Sequence, residues 1–413
     1  MLRKLKVTRF KSIYEHEFDF GRINLLVGSN GSGKSNLLEA LGVLSAALSS
    51  GLDSVTLDLK GVRLSLPHIF KSAFKGYDLP KTFRLSAEFD HGRYECSISS
   101  SPSRTNLEFT TEALYCGDKQ IFGRGPHGVK LHSVANQLPS FRKDSISKTR
   151  SVWSVLRPLV EIPEEFRLEL DHFAGYAIYA PQTAVMRGLA IDSRVVEPLG
   201  LTGSGLASAF STCLDYKRSE VQKLINIIWE PGWADRVQTG EFDANIVPGQ
   251  VRSEGVLLYI RDKYMKSGRN MLSAFDASEG TLYLIFVATL LAHRETPNSF
   301  ALDNVDGTLN PRLVRTLAKH LIDVVGDPDT PTKRQSFMTS HHPSSLDSFD
   351  IFENDQKIFI CHRSTDGDQG ALGRSLFRTL QPPENTDKAQ WIQRHQGKKL
   401  SELLLTERIR DAL

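Results

Sequence analysis

The residues Gly28-Ser29-Asn30-Gly31-Ser32-Gly33-Lys34-Ser35 complete the pattern G-x-x-x-x-G-K-[ST], a spelling suited to holding phosphate. Its glycines let the backbone turn tightly, so that several N–H groups converge on phosphate oxygens with no Cβ in the way. Lys34 is positioned to reach β- and γ-phosphates and the Ser35 hydroxyl to ligate Mg²⁺, with Asn36 next on the helix that opens there. A triphosphate site also needs an acid at the end of a neighbouring strand, and "SFALDNVDGTLNP" supplies Asp303 behind an apolar run. Upstream, Ser278-Glu279-Gly280-Thr281 opens a strongly apolar stretch; downstream, His341 follows the run Ser336–Thr339. Singly these are ordinary features, because serine is a common helix cap and a histidine after a strand is commonly structural. Their order behind a complete phosphate loop is what gives them meaning.

Strand, loop and helix must place those residues. Ile23-Asn24-Leu25-Leu26-Val27 reads as a buried strand entering the loop, and Leu37, Leu38, Leu41 and Leu44 as the apolar face of the helix leaving it. Two strands are expected before it, at Lys4–Phe10 and His16–Phe20. Alternating segments over 82–123, with "DHGR" as a tight turn, predict an attached antiparallel sheet. Helices are expected over 205–230, over 281–294, from Pro311 to Val325 and from Leu400 to Leu413. The Pro311 helix has a stripe of Leu313, Val314, Leu317, Leu321 and Val324, with the proline suited to its first turn. Ser299–Asp303, Ser336–Thr339 and Lys357–His362 read as strands. The phosphate-binding core is thus split: 1–125 holds its N-terminal half with the antiparallel sheet, 126–265 is a largely helical insertion, and 266–413 returns to the core. No internal repeat and no long heptad run is visible.

Bulk properties bound the rest. The chain has 413 residues, enough for one large or two ordinary domains, and its 40% hydrophobic and 24% charged content is that of a soluble globular protein. A net charge of +3 does not demand a nucleic-acid partner, although a local basic face can still bind one. Cys96, Cys116, Cys213 and Cys361 form no C-x-x-C pair, so zinc and a disulfide framework are not expected and a reducing cytoplasm is. The longest apolar run, Leu282 to Ala292, is far shorter than the roughly 20 residues that span a bilayer; no membrane partner is expected.

On these motifs the sequence resembles the ABC-type ATPases of the RecF, SMC and OLD (overcoming-lysogenization-defect) group, over residues 1–45 and 270–345. The N-terminal "LRKLKVTRFKSI" matches that group's strand beside the nucleotide. The resemblance implies an α/β fold with a mixed sheet and an antiparallel β-subdomain, ATP and Mg²⁺ as ligands, and a head-to-tail dimer with two ATPs at its interface. It assigns Ser278 and Gly280 to the motif that meets the γ-phosphate of ATP on a second subunit. Asp303 becomes the Mg²⁺ acid, His341 the switch histidine, and Gln182 in "IYAPQTAVMRG" a late Q-loop. "LNP" (Leu309–Pro311) stands where "LHP" is usual. One departure matters: Asn304 occupies the place of the usual water-activating Glu. An amide cannot accept a proton, so general-base help of about 10²–10⁴-fold is absent unless Asp306 supplies it.

The compact size and the "DNxDGxLNP" strand are most similar to ATPase subunits paired with a separately encoded nuclease, as in Septu-type anti-phage systems. A RecF-like DNA-repair ATPase is the alternative, with Arg142, Lys143, Lys148 and Arg150 of the basic segment 140–151 as DNA contacts. A single-chain OLD-type nuclease would need a whole metal-dependent domain after His341, where the sequence offers little beyond Asp366-Gly367-Asp368.

Overall fold

The computed structural model describes residues 1–103, 105–132, 146–192, 194, 196–249, 255–327, 333–365 and 371–406. Strands β1 (Leu2–Phe10), β2 (Ile13–Asp19) and β3 (Ile23–Gly28) lead into helix α1 (Lys34–Ser49). Then come β4 (Phe83–Phe89), β5 (Gly92–Ser100), β6 (Leu107–Cys116), β7 (Lys119–Gly125) and β8 (Gly128–Leu131). The middle of the chain carries helices Glu164–Ala174 and Leu206–Leu214, strand β9 (Ala177–Tyr179), and the strands β10 (Ala234–Gly240), β11 (Leu257–Asp262) and β12 (Met271–Ser273). Helix α2 (Glu279–Ala292), β13 (Ser299–Leu302), helix α3 (Pro311–Val325), β14 (Gln335–Ser340), β15 (Gln356–Arg363) and β16 (Ser375–Thr379) follow.

Three sheets result. One is wholly antiparallel, with order β2-β1-β4-β5-β6-β7-β8; a small one runs β10-β11-β12; the central one runs β16-β15-β3-β14-β13-β9. In the central sheet β15, β3, β14, β13 and β9 are parallel, and β16 is an antiparallel edge. Strand β3, from the start of the chain, therefore sits between two strands from its last third. Its sequence, INLLVG, is buried on both faces, as a central parallel strand should be.

Aromatic packing joins the antiparallel sheet to the central one. Phe18 meets Phe377 at 4.8 Å and Phe359 at 5.8 Å, while Phe20 meets Phe337 at 5.1 Å in edge-to-face geometry. Period-2 alternation put Phe18 on the buried side of β2, with Glu15, Glu17 and Asp19 away from the core. On the other side of the central sheet, α2 is buried along nearly its whole length, which explains why its sequence is apolar all round.

The expected helix Pro311–Val325 is present with those bounds, capped by Asn310, whose side chain accepts from Leu313 N at 3.0 Å. Leu313 is only partly buried, and Ala318 takes a buried place on the stripe instead. The middle segment carries helices Leu206–Leu214 and Arg218–Ile225 within the expected stretch 205–230, and strands besides. It gives β9 to the central sheet and β10 and β11 to the small one. Strands β7, β8 and β16 were not legible, because their short runs are broken by glycine or charge. The C-terminal helix covers Leu400–Leu405; what was expected beyond Thr406 lies outside the described residues, as do Arg142, Lys143 and Asp366-Gly367-Asp368. No helix among the described residues is long and apolar enough to cross a membrane.

Candidate nucleotide site

Four parallel strands end at one edge of the central sheet, and each delivers part of the site. The C-terminal edge of such a sheet is where ligands bind, because loops and helix N-termini open there. Strand β3 ends in Gly28 and turns through residues 29–33 into α1. Gly31 (φ 77°) and Gly33 (φ 110°) adopt left-handed backbone that other residues take only at a cost. Gly33 also caps α1 with no side chain, and no acid stands in the first turn. The helix's leading N–H groups therefore remain for an anion.

Lys34 is buried and its Nζ donates to the carbonyls of Gly28 (2.6 Å) and Ser29 (2.9 Å), 3.1 Å from His341 Nδ1. Burial lowers its pKa, and the charges of Asp303 and Asp306 oppose that. The ammonium thus sits against its own loop, where incoming phosphate oxygens can replace those carbonyls. His341, at the end of β14, places Nδ1 3.1 Å from Gly28 O as well.

Asp303 follows β13, fixed by its backbone N–H to Tyr179 O at 2.9 Å. The Ser35 hydroxyl lies 3.3 Å from its Oδ2, and Thr339 Oγ1 donates to its Oδ1 at 2.5 Å. Beside them is a cavity of about 260 Å³ bordered by Ser35, Glu39, Arg63, Gln182 and Asp303. The Ser35 hydroxyl and the Asp303 carboxylate, side by side there, fit Mg²⁺, which commonly keeps several waters and takes its remaining ligands from phosphate. Among the described residues no cluster of three or more His, Cys, Asp or Glu forms a protein-only metal site. Gln182, beyond β9, reaches this cavity despite its late place in the sequence.

Asn304 has left-handed backbone (φ 59°), a conformation asparagine tolerates better than most residues. Its N–H donates to Thr339 Oγ1 at 2.7 Å. Its side-chain amide folds over its own turn, where a Cβ at Gly307 would come within 2.6 Å of Nδ2. Asp306 is committed elsewhere. Its Oδ2 accepts from His341 N (2.8 Å), His342 N (2.7 Å) and Ser340 Oγ (3.1 Å), while Oδ1 is buried with no hydrogen-bond partner among the described residues. The expected stand-in base thus has one oxygen engaged by the loop after β14 and one unpartnered. It clamps the loop that carries His341.

Ser278 and Gly280 are not among the residues lining the cavity. Ser278 is exposed and caps α2, its Oγ accepting from Thr281 N at 3.2 Å. Gly280 packs beside the turn after Asp303, where an added Cβ would lie 3.6 Å from Thr308 O. Arg187 Nη2 donates to Ala277 O at 2.8 Å, tying the segment after Gln182 to the loop before Ser278.

Sequence reasoning missed Thr339, which orients both Asp303 and Asn304, and an ion cluster behind the loop, built on the buried Glu39. There Glu39 on α1 pairs with Lys11 and with Arg63, and Arg63 borders the cavity. The hydrogen bond that Arg63 donates to Glu39, together with the charges of Glu39 and Asp303, raises the Arg63 pKa against the opposing effect of burial. The available signal was Glu39 itself, a lone acid in the apolar run "LLEALGVLSAAL".

Residues 4–130 match the family described as an AAA domain. No curated protein matches the chain. Among solved structures the chain aligns with an SMC head domain from Thermotoga maritima at 13% identity. That alignment covers 92% of this chain and 99% of that one, with a TM-score of 0.44. It also aligns with the recombination mediator protein RecF-ATPrS in the RecFOR pathway at 13% identity, over 87% of this chain and 95% of that one, TM-score 0.37.

Proposed function

We propose that this chain is an ATP-binding ABC-type ATPase subunit that closes head to tail with a second copy around Mg²⁺-ATP. The observation that carries this is the convergence of Lys34, Ser35, Gln182, Asp303 and His341 at one sheet edge, with the exposed Ser278 cap standing outside that cavity. In this reading the loop N–H groups and Lys34 bind the β- and γ-phosphates, Ser35 and Asp303 hold Mg²⁺, and Gln182 and His341 sense the γ-phosphate end. Ser278 and Gly280 complete the site of the other copy. Asn304 supplies no proton acceptor at the place of the usual acid, so cleavage is slow and the ATP-bound dimer is long-lived. The test uses purified chain with no added partner: with Mg²⁺-ATP, analysed by light scattering after gel filtration, it shifts from monomer to dimer, and Lys34→Ala abolishes the shift. A chain that neither binds ATP nor changes association overturns the reading.

The dimer is proposed to control a separately encoded nuclease in bacterial anti-phage defence. Support for this step is the likeness of "DNVDGTLNP" and of the compact chain to such subunits. Co-purification from the native host tests it, and recovery of the chain with no effector counts against it. A RecF-like role on DNA is the second reading, favoured by the exposed pair Lys148 and Arg150. It requires salt-sensitive duplex binding by the chain alone, weakened by Lys148→Ala and Arg150→Ala.

A further inference from the structure

The hydroxyl of Ser278 does not stand alone. Thr281 Oγ1 lies 2.8 Å from Ser278 Oγ, and the indole Nε1–H of Trp233 donates to Thr281 Oγ1 at 3.2 Å. Trp233 immediately precedes β10 of the small sheet, and its carbonyl accepts from Lys263 N at 3.1 Å, just beyond β11. Strand β12 of the same sheet ends at Ser273, five residues before Ser278. The small sheet therefore reaches the Ser278 loop both through the chain and through the Trp233 side chain.

Counting protons shows what this contact does. An indole N–H can only donate, so Thr281 Oγ1 must accept from it. Thr281 is fully buried, and its own hydroxyl proton needs an acceptor. Another buried threonine on this helix, Thr289, gives its proton to Ile285 O at 2.7 Å, four residues back. Thr281 has no such bond among the described residues, and the acceptor in reach is Ser278 Oγ. Ser278 Oγ then accepts twice, from Thr281 Oγ1 and from Thr281 N–H. Both of its lone pairs are engaged, and its own proton is the one left to point outward from an exposed residue.

We infer that Trp233 and Thr281 are positioning residues that aim the Ser278 proton outward as a donor to a phosphate oxygen held by a second copy of the chain, with the small β10-β11-β12 sheet as the element that sets this aim. The inference rests on the proposed ATP-closed dimer. It adds a residue of the insertion to the site and makes the small sheet the place from which closure is tuned.

The test measures ATP-dependent dimer dissociation constants for the wild type, Trp233→Phe, Thr281→Val, Thr281→Ser and Ser278→Ala, with fluorescent-ATP affinity of the monomer as a parallel readout. Loss of one such hydrogen bond is expected to weaken the dimer by about three- to ten-fold in Trp233→Phe and in Thr281→Val. Monomer ATP affinity stays at the wild-type value, and Thr281→Ser retains wild-type dimerisation. In a Ser278→Ala background, Trp233→Phe has no further effect. A Trp233→Phe chain that dimerises like the wild type overturns the inference alone, as does a Trp233→Phe loss that persists without Ser278. A wild-type chain that binds ATP and stays monomeric overturns the inference together with the dimer reading.

Discussion

In the proposed ATPase, Asn304 is the residue on which the rate turns. It sits beside Asp303 with left-handed backbone and an amide turned over its own loop, so it offers neither a proton acceptor nor an easy site for another side chain. Asn304→Glu is expected to raise single-turnover ATP cleavage by about ten-fold or more, since general-base help is worth about 10²–10⁴-fold when well placed. The same change lowers stability by about 1–2 kcal/mol, because glutamate fits left-handed backbone poorly; thermal melts alongside rapid-quench assays separate the two effects. Asp306 acts differently. Its carboxylate holds the N–H groups of His341 and His342 and the Ser340 hydroxyl. Asp306→Ala should cost about 2 kcal/mol in chemical denaturation. It should also slow cleavage, because the loop that carries His341 loses these bonds.

At the scale of elements, β14 organises more of the site than its six residues suggest. Thr339 Oγ1 accepts from Asn304 N and donates to Asp303, and the strand then turns so that His341 meets Lys34. Thr339→Val keeps the shape and removes both bonds. The Mg²⁺ requirement for ATP binding is expected to rise by about three- to ten-fold, measured as the Mg²⁺ concentration at half-saturation. The seam between sheets is a separate matter of packing. Phe18 on β2 and Phe20 just after it meet Phe359, Phe377 and Phe337 of the central sheet. Phe18→Ala should destabilise the chain by about 3–5 kcal/mol in urea unfolding, the usual cost of deleting a buried ring.

At the scale of the molecule, the proposed function separates phosphate binding from phosphate closure. The cavity beside Ser35 and Asp303 is made within one chain, whereas Ser278 faces outward from a helix on the same core. A dimer that needs ATP and Mg²⁺ should therefore come apart on chelation. Adding EDTA to the ATP-bound wild type is expected to return it to monomer, and gel filtration with light scattering reads the outcome directly.

What the sequence by itself determined is local. The spelling of residues 28–35 dictates a phosphate loop, because glycine alone permits its turns and a lysine and a hydroxyl must follow at fixed spacing. The 3.6-residue stripe of Pro311–Val325 dictates its helix, because its apolar face has to be buried. The alternation of β2 chose which of its residues join the core. The tertiary structure decided which distant residues meet. Gln182 reaches the cavity only because β9 pairs beside β13, and Thr339 reaches Asp303 only because β14 lies between β13 and β3. Asp306 meets the N–H groups of His341 and His342 for the same reason. Strand order in a parallel sheet is set by long-range packing, and neither spacing nor propensity along the chain encodes it.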